Sequence, residues 1–204
     1  MVIHIWRNQY VKIYFFMSSI ESMRQMISSF IPVGDQEIKD KEVILRYIDE
    51  FGNILTRQNE YAHMTSSSWI VNKKRDKALM IFHNIYQSWS WTGGHADGDS
   101  DLLHVALKEA EEETGVAVKP VTNELFSLDV VPVWGHMKNG KWVSSHQHLN
   151  TTFLLEADDS LPLSIKEDEN SGVQWVPLED VCKFSTEPQM HPIYKKLMQR
   201  ALKY

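Results

Sequence analysis

Residues 93–116 constrain the fold more than any other stretch of the chain. Gly93-Gly94-His95-Ala96-Asp97-Gly98-Asp99-Ser100 is a run of turn formers leading into DLLHVALKEAEEETGV. The spacing predicts a helix over Asp101–Thr114. Asp99 or Ser100 can cap its free N–H groups, and Gly115 supplies the left-handed residue that ends it. Leu102, Leu103, Ala106, Leu107 and Ala110 then form one apolar stripe. Glu109, Glu112 and Glu113 fall within an arc of about 100° on its border. Like charges at these spacings destabilise a helix by about 0.2–0.5 kcal/mol per pair, and the helix dipole adds to the conflict near the C-terminus. A solvated acidic face is the simplest account of such a run. Its position beside an apolar stripe, directly after a glycine-rich turn, points instead to a divalent cation. Clustered carboxylate oxygens are the ligands that hard ions such as Mg²⁺ take.

The helix needs a surface to bury its stripe, and the flanking chain supplies strands. Ser66–Val71 and Ala78–His83 are short β-type runs joined by the polar NKKRDK. Leu125–Trp134 and Lys141–Glu156 flank Asn139-Gly140, a strong hairpin signal. Val173–Val176 is a further strand, closed by Pro177, and Pro188 and Pro192 bracket the start of a terminal helix, Ile193–Lys203. Strands on both sides of one central helix, connected by hairpins rather than βαβ crossovers, give a mixed-sheet α+β domain over residues 61–204. Residues 17–60 read as a helical segment. Val43, Ile44, Tyr47, Ile48 and Phe51 make an amphipathic stripe within Asp40–Ile54, and Pro32 and Gly34 break the chain before it. This is a helix packed on the main domain. Residues 1–16, MVIHIWRNQYVKIYFF, are a doubtful extension: Arg7, Asn8, Gln9 and Lys12 interrupt the apolar core a secretory signal needs, and Met17 offers an alternative start.

Composition excludes several classes. Twenty-one Lys+Arg against 27 Asp+Glu leave a net charge of −6, against the counterion displacement that long nucleic acids require and against an electrostatic membrane anchor. Cys182 is the only cysteine, so no intramolecular disulfide framework exists. No stretch approaches the roughly 20 apolar residues of a membrane span. A chain of 204 residues with this balance is expected to be a cytoplasmic protein built around one core.

GGHADGDSDLLHVALKEAEEETGV resembles the Nudix box, G-x5-E-x7-R-E-U-x-E-E-x-G-U with U aliphatic. Starting at Gly94, the chain supplies Glu109, Glu112, Glu113, Gly115 and Val116 in register. The preceding SWSWTGG resembles the aromatic lead-in common in that family, and the resemblance covers roughly Tyr61 to Leu178. Two positions depart from the pattern: Ser100 stands for the first glutamate and Lys108 for the arginine. In that family the side chains at these two positions mainly support the helix and orient its glutamates. Lys108 keeps the charge but loses the bidentate fork, and Asp97, Asp99 and Asp101 stand close enough to act as its partners. The resemblance implies a Nudix-type α/β/α sandwich with an N-terminal helical extension. It also implies Mg²⁺-dependent hydrolysis of the diphosphate linkage in a nucleoside diphosphate joined to another moiety, with Mn²⁺ as a substitute. Glu109, Glu112 and Glu113 would be the metal ligands, with a backbone carbonyl at Gly93 or Gly94 beside them. The partner would be a small nucleotide or phosphate anhydride, with a homodimer possible.

Outside the box, the general base has four candidates. Glu169, then Glu167, lie in the acidic loop 165–170 where many relatives carry an extra glutamate; Glu113 itself and His148 compete. His146, His148 and Asn150 share one strand face by alternation, with Thr152 following, as expected of a face lining a wet cleft. Substrate contacts are expected from Gly93, Gly94, His95, His146 and Asn150. His-x-His with His95 also invites a zinc site. That reading is disfavoured, because no cysteine is near and three histidines would have to converge by fold alone. Trp89, Trp91, Trp134 and Trp142 are candidates to stack a base. Two other functions stand beside hydrolysis. Ser100 and Lys108 motivate a non-catalytic nucleotide-binding module. An enzyme like isopentenyl-diphosphate isomerase shares the fold but needs a cysteine at the site, which Cys182, beyond the last strand, does not provide.

Overall fold

The structure is a computed structural model describing residues 19–138 and 140–204. The expectations for residues 1–16 and for Asn139 lie outside the described residues. Its organising element is β1 (Ala62–Asn72), buried along its whole length. On one edge β1 pairs antiparallel with β2 (Lys77–His83) and β4 (Thr92–His95). On the other it runs parallel to β9 (His146–Ala157), from Ala62 opposite Gln147 to Asn72 opposite Ala157. β10 (Asn170–Pro177) and the short β3 (Ser88–Ser90) pair with β2, while β5 (Lys119–Pro120) and β6 (Ser127–Val133) pair with β9. The result is an eight-stranded mixed sheet. The β1–β9 pairing departs from the hairpin-only expectation. Hydrophobic alternation identifies strands but not their partners, and paired residues of these two strands, such as Ala62 and Gln147, are 85 positions apart in the sequence.

The middle of β1 reads Thr-Ser-Ser-Ser, an unusual sequence for a central strand, and its hydroxyls explain why it is tolerated. Ser66 Oγ donates to the carbonyl of Leu102 at 2.6 Å and Ser68 Oγ to that of Ala106 at 2.9 Å. Small side chains let the helix approach closely, and each satisfied buried hydroxyl avoids a penalty of about 1–3 kcal/mol. That helix, α3 (Leu102–Thr114), matches the expected span. Asp101, rather than Asp99 or Ser100, is its cap, accepting from the His104 N–H at 3.0 Å. Gly115 ends it at φ 69°, as expected. Val105 is buried with Leu102, Ala106 and Ala110, whereas Leu103 and Leu107 are half-buried, so the stripe is rotated slightly from the expected one.

α1 (residues 19–29) and α2 (Asp35–Glu50) cover the same face as α3: Met23, Ile27, Ile44 and Ile48 share one core cluster with Ile70, Ala106 and Phe153. α4 (Val181–Phe184) and α5 (His191–Ala201) cover the opposite face, where Val181, Tyr194 and Leu197 pack on Trp69, Met80 and Leu154. A fully buried Leu such as Leu197 contributes about 1.5–3 kcal/mol. The architecture is the expected α/β/α sandwich. A hairpin, β7 (His136–Lys138) with β8 (Lys141–Val143), projects from the sheet, and Gly140 takes φ 73° in its turn.

The N-terminal helices are tied down by a buried ionic cluster that local pattern did not signal. Glu37 on α2 is fully buried and accepts from Arg200 Nη1 at 2.8 Å, with Lys196 Nζ at 3.1 Å. Burial alone would raise its carboxyl, but Arg200, the Val33 N–H and Lys196 outweigh burial and hold it at about 2. Lys196 also pairs with buried Asp129 on β6, at 2.6 Å.

Candidate active site

The sheet and α3 converge on a cavity of about 550 Å³. Glu109, Glu113, Asp168 and Glu169 line it beside Gly93 and Gly94, and His95, His148 and Asn150 contribute from the strands. Trp91, Trp134 and Tyr86 supply aromatic surface.

The double glycine is explained atom by atom. A Cβ at Gly93 would stand 2.5 Å from Ser67 Oγ and 2.7 Å from Ser67 Cα. A Cβ at Gly94 would stand 2.5 Å from the carboxyl carbon of Glu109. The first glycine lets β4 lie against β1, and the second lets a carboxylate lie against the backbone. Glu113 is buried and accepts the Gly93 N–H at 2.9 Å. Burial, reinforced by Glu169 and Glu109 and only partly offset by that hydrogen bond, pushes its carboxyl up to about 8. A buried carboxylate with one donor and two acidic neighbours is a place where a cation is strongly favoured.

Glu112 behaves differently from its two neighbours. It does not line the cavity and is held by Lys166 at 3.0 Å and Lys108 at 3.6 Å. The Lys166 hydrogen bond holds its carboxyl below the usual range. Lys166 also lies 3.1 Å from Glu169 and 4.0 Å from Glu109, so one ammonium bridges the acidic rim. Burial would lower its proton affinity, but Glu112 and Glu169 more than compensate and hold it protonated. Glu169 is half-exposed at the cavity, whereas Glu167 is exposed outside it, its carbonyl accepting from Asn84. Lys108 contacts Glu109 and Glu112 rather than Asp97, Asp99 or Asp101. Asp97 instead forms a bidentate pair with Arg57.

The strand residues share one face as alternation predicts, with one addition, but His146, expected to contact substrate, does not line the cavity. Asn150 is buried: its Oδ1 accepts from Thr65 and Ser67 and its Nδ2 donates to Thr152. Its polar atoms therefore clamp β1 to β9. His146 and His148 share a face, and their Nε2 atoms lie 3.3 Å apart. His63, which the sequence reading passed over, lies opposite His148 in register, and His95 packs against both. The signal was available in the alternation of His63, Thr65 and Ser67 on β1, but it required knowing that β1 pairs with β9. Burial is the largest influence on His63, His95 and His148, and all three are pushed toward the neutral form, His95 to about 3. Of the tryptophans, Trp91 and Trp134 line the cavity, Trp89 packs on Phe82 and Phe184, and Trp142 is exposed on the hairpin. Cys182 lies in α4, its thiol near the His191 carbonyl and outside the cavity lining.

A family model described as the NUDIX domain matches residues 62–201. The chain belongs to the NUDIX domain family. This Nudix chain is 25% identical over 135 residues to a protein named "Probable DHNTP pyrophosphohydrolase" from Lactococcus lactis subsp. cremoris (strain MG1363), covering 66% of this chain and 79% of that one. It is 25% identical over 116 residues to an "RNA pyrophosphohydrolase" of Pelagibacter ubique (strain HTCC1062), covering 55% and 73%. Among solved structures, the Nudix hydrolase RenU from M. Smegmatis superposes with a TM-score of 0.50 at 14% identity, over 70% of this chain and 88% of that one. That likeness bears on the fold alone. Among the described residues of the Nudix chain, no helix is long and apolar enough to cross a membrane.

Proposed function

We propose that this Nudix protein hydrolyses the diphosphate linkage of a nucleoside diphosphate joined to a second group, with Mg²⁺ as its cation and Mn²⁺ as a substitute. The enzyme class, a hydrolase of phosphorus-containing anhydrides, follows from the family and from relatives named as pyrophosphohydrolases. The observation that carries the proposed substrate and cation is Glu113: buried, singly hydrogen-bonded, and pressed by Glu109 and Glu169. The donor set is all oxygen, which fits a hard divalent ion. Such an ion, when bound, neutralises phosphate charge and acidifies water.

The chain's own residues do the rest. Glu109 and Glu113 would hold the cation, and Gly94, having no Cβ, leaves room for the Glu109 carboxylate against the backbone. Glu112 reaches this group only by releasing Lys166. Glu169, the half-exposed carboxylate at the cavity, is positioned to take the proton from the attacking water, ahead of Glu167, which lies outside. His148 is kept neutral by burial and offers hydrogen bonding rather than charge. Gly93 and Gly94 admit the phosphates, His95 stands beside them, and Trp91 and Trp134 offer faces for a base.

The test is a panel of ADP-ribose, dinucleoside polyphosphates, coenzyme A and oxidised nucleotides with Mg²⁺ or Mn²⁺, analysed by product. Cation-dependent release of a nucleoside monophosphate or phosphate supports the reading. Binding without cleavage would favour a non-catalytic nucleotide module instead, and double-bond migration in an isoprenoid diphosphate would favour an isomerase.

A further inference from the structure

A second cluster stands apart from the carboxylates and is built from a different kind of donor. His63 on β1 and His146 and His148 on β9 place one ring nitrogen each within 4.8 Å of one another. We propose that these three histidines form a site for a borderline transition-metal ion, Zn²⁺ in class, separate from the carboxylate cation site. The proposal does not rest on the hydrolytic reading.

Hydrogen bonding fixes which nitrogens are free. His63 Nδ1 lies 3.0 Å from the Asn59 carbonyl and His146 Nδ1 lies 2.8 Å from the Ser144 carbonyl. A carbonyl only accepts, so each ring carries its proton on Nδ1 and presents a bare lone pair at Nε2. This carbonyl–imidazole arrangement is the one that orients metal-ligating histidines. His63 is 4% exposed, and its Nε2 has no hydrogen-bond partner. A buried lone pair without a donor is the feature that a bound cation resolves. The facing Nε2 atoms of His146 and His148 are 3.3 Å apart. Two nitrogens bound tetrahedrally at about 2.0–2.1 Å from Zn²⁺ are separated by roughly that distance.

The backbone holds the donors in place. His63 and His148 are register partners in the parallel β1–β9 pair, and His146 lies two residues before His148 on the same face. No carboxylate belongs to the group, so Mg²⁺, which demands oxygen, is a poor occupant, whereas imidazole suits Zn²⁺. His95 packs edge-on to His148, ring centroids 5.0 Å apart, and lines the cavity. His148 lines the same cavity, so the histidine group borders the substrate space, as would suit three protein ligands plus an exchangeable one.

Three histidines can meet here only by fold, and the β1–β9 register brings them together. The experiment is a titration of the metal-free full-length chain with Co²⁺, then Zn²⁺, in excess Mg²⁺ that saturates the carboxylates. The readouts are the visible bands of tetrahedral Co²⁺ and their displacement by Zn²⁺. One equivalent of tetrahedral Co²⁺ is expected, with its affinity reduced by at least about 10–100-fold in His146→Gln, the half-exposed ligand whose replacement spares the core. His63→Gln should do the same, and its far-ultraviolet circular dichroism separates a lost ligand from a lost fold. Absence of tetrahedral Co²⁺ binding by the wild-type chain overturns the proposal. So does binding that survives both substitutions but disappears in Glu109→Gln.

Discussion

Replacing Glu113 by Gln should make the metal-free protein more stable while removing its function. The wild-type carboxyl is raised from 4.5 to about 8 by burial and by Glu169 and Glu109. A carboxyl with a raised folded-state pKa contributes its full stability below the unfolded value and loses it as pH climbs toward the folded one. At pH 7 the cost of keeping that proton, or of losing it inside the core, is about 3 kcal/mol at 1.36 kcal/mol per unit. Glutamine is isosteric, stays neutral, and its carbonyl still accepts the Gly93 N–H. For a chain of this size, about 3 kcal/mol corresponds to a Tm increase of about 6–12 °C. The assay is thermal unfolding of both proteins in EDTA from about pH 4 to pH 9. The gap should be near zero at about pH 4, widen through neutrality and level off above about pH 8. Added Mg²⁺ should raise the wild-type Tm and leave the variant unmoved. A variant less stable than wild type at pH 7, or a gap that does not change with pH, would refute the electrostatic account of Glu113.

The two glycines should fail differently. Gly93→Ala drives a Cβ into the Ser67 backbone and should cost about 1–3 kcal/mol in chemical denaturation. At Gly94→Ala the three nearest atoms all belong to the Glu109 side chain rather than to backbone, so denaturation should shift less than for Gly93→Ala while cation affinity falls, measured by calorimetric Mg²⁺ titration. Arg200→Met strips the main partner from buried Glu37 and should destabilise by about 3–5 kcal/mol in urea. Because Glu37 is held near 2, its contribution is complete above its unfolded value near 4.5 and disappears as pH falls toward 2. Acid unfolding of wild type over that window should therefore be steeper than that of the Arg200 variant.

Much of the fold was legible because its signals are local. The boundaries of α3 follow from a glycine-rich loop and Gly115, and the strands from β-branched runs between turn formers. The assignment of Glu109 and Glu113 to one cavity follows from their spacing at i and i+4 on the helix face. What stayed hidden depends on long-range pairing. His63 gains meaning only when β1 lies parallel to β9 and brings His148 opposite it. Glu37 looks like an ordinary first-turn acid until α5 delivers Arg200 and Lys196. Glu112 shares the arc of its neighbours, but Lys166, 54 residues later, draws it off the cavity. Spacing on a helix fixes direction to within an arc, and the partners from other elements decide the rest.

The proposed role of the Glu109 and Glu113 carboxylates at this cavity is cation-dependent cleavage of a diphosphate linkage. Its most direct test measures turnover of the best diphosphate from the panel against Mg²⁺ concentration, for wild type and Glu113→Gln side by side. Saturable, Mg²⁺-dependent wild-type turnover should appear with most of kcat lost in the variant, on the order of a hundredfold or more if a transition-state contact is removed. Near-wild-type turnover by Glu113→Gln, or cleavage that ignores Mg²⁺, would contradict it.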